Sequence, residues 1–486
     1  MAEDITPVTT GASLSAMAPG AIRQLWQKGV MVAEQTEDFF QQMESTGKDG
    51  IIGVKTDTTK GRGQKVTFTN MSGFHKEPHL GEERFDGPSD FEQIKINSYD
   101  LKVDWLRHAY SINERAEEVM GMRDEIATGA NLELGKWLGR QKSEQMFAAF
   151  QLQLNGSNVK YVNGKTLDTL SSADTLAWEE IVKGGQAMKP LGGTAANIGR
   201  GASGPVWSQC VVATQAALLS LKLDADYKEL VSMAGERGKL NTIFSGGYPT
   251  IDGHTITEYN PIDHDGVGAV GSFLNPKADL GVAVTAGTAA FDITGGGNPA
   301  DAALTDILYY KYFPGHAYRF IDLTTFAPAA GTSYVLIYNL TGADAGKFGM
   351  YSYANATGNN GNKITVNGRL GSATSGIRNT TIGDVTWNAT LHTDAHPEDS
   401  LVIPCNRKGV PIGDTLILGR LAALRGYGKY RGRRSTQSEE GGFIEQRYIT
   451  SVFGQTIRKD RKGRHPGVIR LRHAVSYPGI NLPAVT

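Results

Sequence analysis

The sequence is poor in most of what signals chemistry. It has two cysteines, Cys210 and Cys405, in 486 residues. A disulfide framework is therefore excluded, and two thiols cannot build a four-ligand zinc site. Two small buried side chains in a reducing compartment are expected instead. No stretch approaches the ~18 consecutive apolar residues of a membrane span. Residues 1–20 carry no basic region followed by an apolar run, so no signal peptide is expected. Net charge is nearly absent too: 49 basic and 50 acidic residues leave −1, and whole-chain charge predicts neither nucleic-acid nor membrane binding.

Catalytic signatures are missing as well. Gly192-Gly193-Thr194 through Gly199-Arg200-Gly201 is glycine-rich, but no Lys-Ser/Thr follows at phosphate-loop spacing. Gly295-Gly296-Gly297-Asn298-Pro299 reads as a tight loop. His75 and His79 are four apart with Pro78 between them, and no metalloprotease pattern surrounds them. Asp263-His264-Asp265 follows Pro261 and is explained by a turn. No Gly-x-Ser-x-Gly elbow occurs. Sequons at Asn339, Asn355, Asn379 and Asn388, in the absence of a signal peptide, are accidents of an Asn/Thr-rich composition. No catalytic residue, metal ligand or cofactor is expected, and the chain does not read as an enzyme.

Glycine, by contrast, is abundant: 60 residues, about an eighth of the chain against ~7% in typical proteins, which predicts many turns, bulges and long loops. Residues 1–20 read as a flexible arm, and residues 21–45 as a helix with an irregular apolar stripe of Leu25, Val30, Val32, Phe39 and Phe40, stopped by Gly47. Residues 51–110 read as a long β-hairpin in which Val66 and Phe68, then Ile94 and Ile96, alternate with polar residues. Its tip, residues 70–90, is rich in Gly, His and acid. Such a hairpin has no core of its own and must lie on something, often another subunit.

Residues 111–154 form the strongest helical region, with Leu132, Leu134, Trp137, Leu138, Phe147, Phe150 and Leu154 at helical spacing. Asn131 is a candidate N-cap after Gly129, and Asn155-Gly156 a stop. A helix of about 24 residues would span about 36 Å. A short helix is expected at 178–188, a buried strand at 207–214, helices starting near 214 and 227, and a strand at 251–259 after Asp252-Gly253. Residues 262–412, poor in charge and broken by turn clusters such as 358–362, read as an all-β insert with strands near 333–338, 363–366 and 385–387. Residues 413–486 return to apolar strands and a helix, with 415–424 largely apolar and 443–453 and 468–475 alternating.

The near-zero charge hides a segregation. Residues 418–473 hold fourteen basic residues against four acidic ones, a balance of +10, and residues 77–92 hold six acidic residues against one arginine, a balance of −5. Two uses compete: phosphate contact with nucleic acid, or pairing of an acidic loop on one copy with a basic patch on the next. Subunit pairing is the favoured reading, with Glu82, Glu83, Asp86, Arg431, Arg433, Arg434, Arg461 and Lys462 as candidate contacts.

Several stretches resemble the major capsid proteins of N4-like tailed bacteriophages. These are Gly53-Val54-Lys55-Thr56-Asp57 through Val66-Thr67-Phe68, Asp104-Trp105-Leu106-Arg107-His108-Ala109-Tyr110 with the helix after it, Met233-Ala234-Gly235-Glu236-Arg237-Gly238, and Leu416-Ile417-Leu418-Gly419 with the later Phe453-Gly454. The resemblance implies an α+β chain of the Hong Kong 97-type capsid fold. Residues 1–50 would be the N-terminal arm, 51–105 the E-loop hairpin, 106–155 a peripheral domain with the spine helix, and 156–300 the axial domain. Residues 301–412 would be a β-rich insertion and 413–486 the return to the core. The implied function is self-assembly into hexamers and pentamers of an icosahedral head around double-stranded DNA, contacted without sequence specificity. Portal and decoration or scaffolding proteins would be partners, membranes would not, and the chain would be made in the host cytoplasm and end in the virion. Some shells of this family are crosslinked; Lys60 or Lys65 could serve, but no signature marks them. The alternatives are a cellular nanocompartment shell of the same fold and a carbohydrate-binding or adhesive β protein built on residues 300–412.

Overall fold

The computed structural model describes residues 38–47, 49–61, 64–71, 96–113, 123–152, 154, 156–201, 204–235, 250–251, 253–259, 290–294, 332–339, 342–354, 363–369, 380–382, 385–387, 393, 395–397, 400–406, 408–439, 444–460 and 463–475. Outside them lie the expected arm over 1–37, the hairpin tip with His75 and His79, Asp263-His264-Asp265, the 295–299 loop, and three of the four sequons.

Two sheets and one long helix form the body. The central sheet runs, in spatial order, Val159–Tyr161, Val468–Ala474, Ile412–Leu418, Gly204–Ala213, His254–Glu258 and Thr250–Ile251, with Ala196–Gly201 paired beside Gly204–Ala213. Ile412–Leu418 and Val468–Ala474 are buried at every position, because helices cover both faces. On one face lie α2 (Trp178–Met188), α3 (Gln215–Leu223) and α4 (Ala225–Gly235); Trp178, Ile181, Leu218, Leu221 and Tyr227 pack there on Val211, Ile417, Ile469 and Leu471. On the other, Met146, Phe147 and Phe150 of α1 (Arg123–Leu152) pack with Phe40 and Tyr259 on Cys210, Val212, Leu416, Leu418 and Val468.

The second sheet runs Glu44–Ser45, Ile52–Thr56, Ala423–Glu439, Ile444–Ile457 and Asp104–Asn113. Its two long strands, 17 and 14 residues, exceed the usual 5–6. α1 lies along one face, where Leu134 and Leu138 pack on Leu106, Tyr427, Ile449 and Phe453. At 30 residues, α1 is about 45 Å long and joins the two sheets.

The hairpin strands are Lys65–Met71 and Ile96–Lys102, paired from Lys65↔Lys102 to Met71↔Ile96. Their root lies on the long-strand face turned away from α1, where Val66 and Val103 pack on Val452. Absent side chains permit this approach. A Cβ on Gly426 would meet Leu101 at 3.0 Å and Val66 at 3.2 Å, and one on Gly454 would collide with the Lys102 carbonyl oxygen. A third, antiparallel sheet runs, in spatial order, Ala290–Thr294, Lys363–Arg369, Phe348–Ala354, Thr332–Tyr338 and Leu401–Cys405. Thr380–Ile382 and Val385–Trp387 form a separate two-stranded ribbon.

Several expectations change. Asn131 does not cap α1, which begins eight residues earlier; it sits within the helix and accepts a 2.6 Å hydrogen bond from the Tyr110 hydroxyl. Residues 111–113 are strand, not helix. The end of the expected 21–45 helix is a short 3₁₀ turn, Phe39–Met43, followed by strand. The apolar run 415–424 is two strands in different sheets, broken at Gly419–Ala422 with Leu421 at φ 49°. No helix occurs among the described residues of 413–486. Residues 468–475 alternate Arg with Ile and Leu yet are buried on both faces, for the reason found at Asp414.

Candidate assembly surfaces and buried ion clusters

The fourteen basic residues of the 418–473 segment do not form one surface. Arg425 is fully buried. It lies on the long-strand face under α1, and its guanidinium binds Asp38 at 2.6 Å and Glu44 at 2.5 Å. The Tyr427 hydroxyl also donates to Glu44 (2.8 Å), and Arg425 Nε donates to Gln455 Oε1 (3.1 Å). Asp38 caps the 3₁₀ turn by accepting from the Phe40 backbone N–H at 3.2 Å, and it accepts from the Ser143 hydroxyl of α1 at 3.1 Å. Burial alone would lower the Arg425 pKa, but Asp38, Tyr427 and Glu44 outweigh it and hold the guanidinium charged. The cluster ties the root of the N-terminal segment to a long strand and to α1. Beside it, fully buried Lys142 places its ammonium over the rings of Tyr427 (4.9 Å) and Phe453 (5.2 Å).

A second cluster lies inside the central sheet. Asp414 accepts a two-point contact from Arg470, Nε to Oδ1 at 3.0 Å and Nη2 to Oδ2 at 2.7 Å, with Arg472 Nε 3.4 Å away. Burial would raise the Asp414 carboxyl, but Arg470 and Arg472 more than compensate and hold it below the usual carboxylate range. Burial lowers the Arg472 guanidinium, with the charge of Arg470 adding to it. Arg420 pairs with Asp49 at 3.1 Å and Arg464 with Asp460 at 2.6 Å, both at the surface. Much of the +10 balance is thus spent inside the chain.

The sequence-predicted contact residues fall as follows. Arg431, Arg433 and Arg434 occupy register positions opposite Ser451, Thr450 and Ile449 in the long-strand pair. Glu82, Glu83, Asp86, Arg461 and Lys462 lie outside the described residues. A further surface went unnoticed in the sequence. On the outer strand, Arg107 is exposed, with its guanidinium 5.7 Å from the Trp105 ring centre and 6.0 Å from that of Tyr448. Trp105 itself is 41% exposed. The available signal was strand alternation, which places Trp105 and Arg107 on one face and buried Leu106 on the other.

The dismissed motifs have structural roles where they are described. Gly192 turns the chain at φ 85° after a 3₁₀ turn, and Gly193 leaves no room for a Cβ beside the Pro466 carbonyl and Met188. Asn339 is fully buried: its Nδ2 donates to the Ala395 carbonyl (2.8 Å) and its Oδ1 lies 2.6 Å from His396 Nδ1, so it cannot carry a glycan. Burial pushes the Cys210 thiol up to about 11 and raises Cys405 as well, so both are neutral near pH 7. Among the described residues no group of His, Cys, Asp and Glu could hold a metal, and no helix is long and apolar enough to cross a membrane.

No family model and no curated protein matches the chain. Solved structures do. A chain of the capsid of Ralstonia phage GP4 superposes with a TM-score of 0.51 at 13% identity, over 91% of this chain and 92% of that one. A chain of the cyanophage Pam1 capsid superposes with a TM-score of 0.50 at 8% identity, over 90% and 92%. What survives at such identities is architecture. The spine helix on long paired strands, the central sheet and the projecting hairpin are those of the Hong Kong 97-type capsid fold, in an α+β chain.

Proposed function

We propose that this chain is the major capsid protein of a tailed bacteriophage, of the N4-like group that its sequence resembles, and that it assembles with copies of itself into the icosahedral head. The observation that carries this reading is the shared architecture over nine-tenths of the length of two phage capsid chains. The fold's own economy supports it. The hairpin root packs on the long strands through Val66 and Val103, a long two-stranded hairpin needs a surface to lie on, and closed symmetry repeats each modest contact across many copies.

The role is structural and not enzymatic. Hexamers and pentamers enclose double-stranded DNA, held without sequence specificity, and the shell meets a portal and decoration or scaffolding proteins. The chain is made in the host cytoplasm and ends in the virion. Residues 1–50 act as the arm, 51–105 as the E-loop, 106–155 as the spine-bearing peripheral domain and 156–300 as the axial domain, with 301–412 inserted and 413–486 closing the body. Acidic residues Glu82, Glu83 and Asp86 pair with basic residues of the next copy, among them Arg431, Arg433, Arg434, Arg461 and Lys462.

The test is expression of the chain alone and with its neighbouring genes, followed by electron microscopy. Closed shells, capsomer rings or tubes are expected. A uniformly monomeric product under both conditions overturns the reading. Reversing Glu82, Glu83 and Asp86 to Lys should reduce assembly at least tenfold while the monomer stays folded; wild-type yields would remove the pairing mechanism.

A further inference from the structure

The long-strand sheet has two faces with different fates. One is sealed by α1. On the other, the hairpin root covers Gly426, Gly428, Val452 and Gly454 at one end. The same face also carries Trp105, Arg107 and Tyr448. The hairpin root and these three residues therefore share a face: Trp105 is in register with Val452, and Arg107 with Thr450.

Arg107 is the informative residue. It is exposed, touches two aromatic rings, and has no carboxylate partner among the described residues. An exposed guanidinium beside aromatic rings is well suited to two-point recognition of a carboxylate. By register, Arg433 occupies the position across Thr450 from Arg107 on the next strand. Two strand spacings put those two backbone positions about 10 Å apart. Among the described residues, the strand Asp104–Asn113 is also the last of its sheet.

We propose that this face, centred on Arg107 between Trp105 and Tyr448, is the seat for the acidic hairpin segment 77–92 of a second copy of the chain. This rests on the reading of the chain as a shell subunit and specifies where the acidic segment binds. Charge complementarity selects the occupant: the segment carries six acids against one arginine, and every copy supplies one seat and one segment, as a repeating contact requires.

The first test does not depend on assembly. A synthetic peptide of residues 77–92 is titrated into the full chain, into R107E and into R107K. The wild type should bind it, with binding falling as salt rises; R107E should bind at least tenfold more weakly, and R107K should fall between. A peptide that binds neither protein, or both equally, overturns the proposal. So does a DNA duplex that binds in an Arg107-dependent way where the peptide does not, because the face would then serve phosphate. Assembly gives the second test. R107E alone and the chain with Glu82, Glu83 and Asp86 reversed to Lys alone should each fail to form shells, while their mixture should restore them through opposite charges. R107E shells at wild-type yield overturn the seat and leave the shell reading standing; a wild-type chain that binds the peptide but never assembles does the reverse.

Discussion

Arg425 and Arg107 sit in the same five-stranded sheet and do opposite things. Arg425 faces α1, fully buried, held by Asp38, Glu44 and Gln455. Arg107 faces outward, lying against two rings. The first consumes its charge inside the chain to fix the root of the N-terminal segment; the second keeps its charge for a partner. Charge on a strand is therefore informative about interfaces only after its face is known. Arg425 belongs to the conspicuous basic segment and is internal; Arg107 lies outside that segment and is available.

The largest expected effect is at the buried site. Replacing Arg425 with Leu leaves the carboxylates of Asp38 and Glu44 without their cation, and breaking one side of a buried pair costs about 3–5 kcal/mol. Chemical denaturation of the monomer measures it. Hydrogen exchange should show residues 38–45 opening before the rest. A loss below about 1 kcal/mol, with that segment still protected, would mean that Arg425 is as dispensable as a surface arginine.

Asp414→Asn should come next, at about 3 kcal/mol, because it strands Arg470 and Arg472 in the central sheet. It also carries a pH signature. The folded Asp414 carboxyl lies below its unfolded value, so its contribution is complete above the unfolded pKa of about 3.9 and is lost as pH falls through the folded one. Asp174 behaves likewise. Burial would raise it, but hydrogen bonds from Lys165, Ser171 and Asn163 bring it down to about 2. Wild-type stability should therefore drop between about pH 4 and pH 2, and Asp174→Asn should flatten part of that slope. An unchanged slope in both Asp variants would remove these carboxylates as its source.

The same contrast explains what was legible in the sequence. The helix Trp178–Met188 is amphipathic over one sheet face, and its expected bounds agree with the structure. The hairpin strands were visible because buried Val66 stands between the polar residues Lys65 and Thr67, which are less buried. The two clusters were not, because periodicity reports how many faces are apolar and not which polar residues meet. Arg470 and Arg472 alternate with Ile469 and Leu471 as a half-exposed strand would, yet Asp414, 56 residues before Arg470, neutralises them inside a doubly covered sheet. A lone acid within the apolar run Ile412–Leu418 was the one hint. The cap of α1 was placed too late, at Asn131, because residues 123–130, Arg-Asp-Glu-Ile-Ala-Thr-Gly-Ala, are helical but carry no apolar stripe.

A smaller effect probes where the two faces meet the hairpin. Gly454→Ala puts a methyl group against the Lys102 carbonyl at the hairpin root, and overpacking of this kind costs about 1–3 kcal/mol. Its cost should appear as faster exchange in the two hairpin strands, with the Arg425 cluster still protected. Exchange that rises equally on both faces would show that they are coupled.

The smallest expected effect on folding is at Arg107 itself. Arg107→Gln removes a charge that contacts only ring faces at the surface, so the unfolding free energy should stay within about 0.5 kcal/mol of wild type. The contrast with Arg425 then becomes quantitative: two arginines of one sheet, one changing stability by several kcal/mol with peptide binding intact in the fraction that folds, the other changing binding at least tenfold with stability intact. Should Arg107→Gln cost more than about 1 kcal/mol, the Trp105–Arg107–Tyr448 stack would be a structural clamp like the Asp38 cluster, and weakened binding in R107E would report disorder of the strand and not a lost contact.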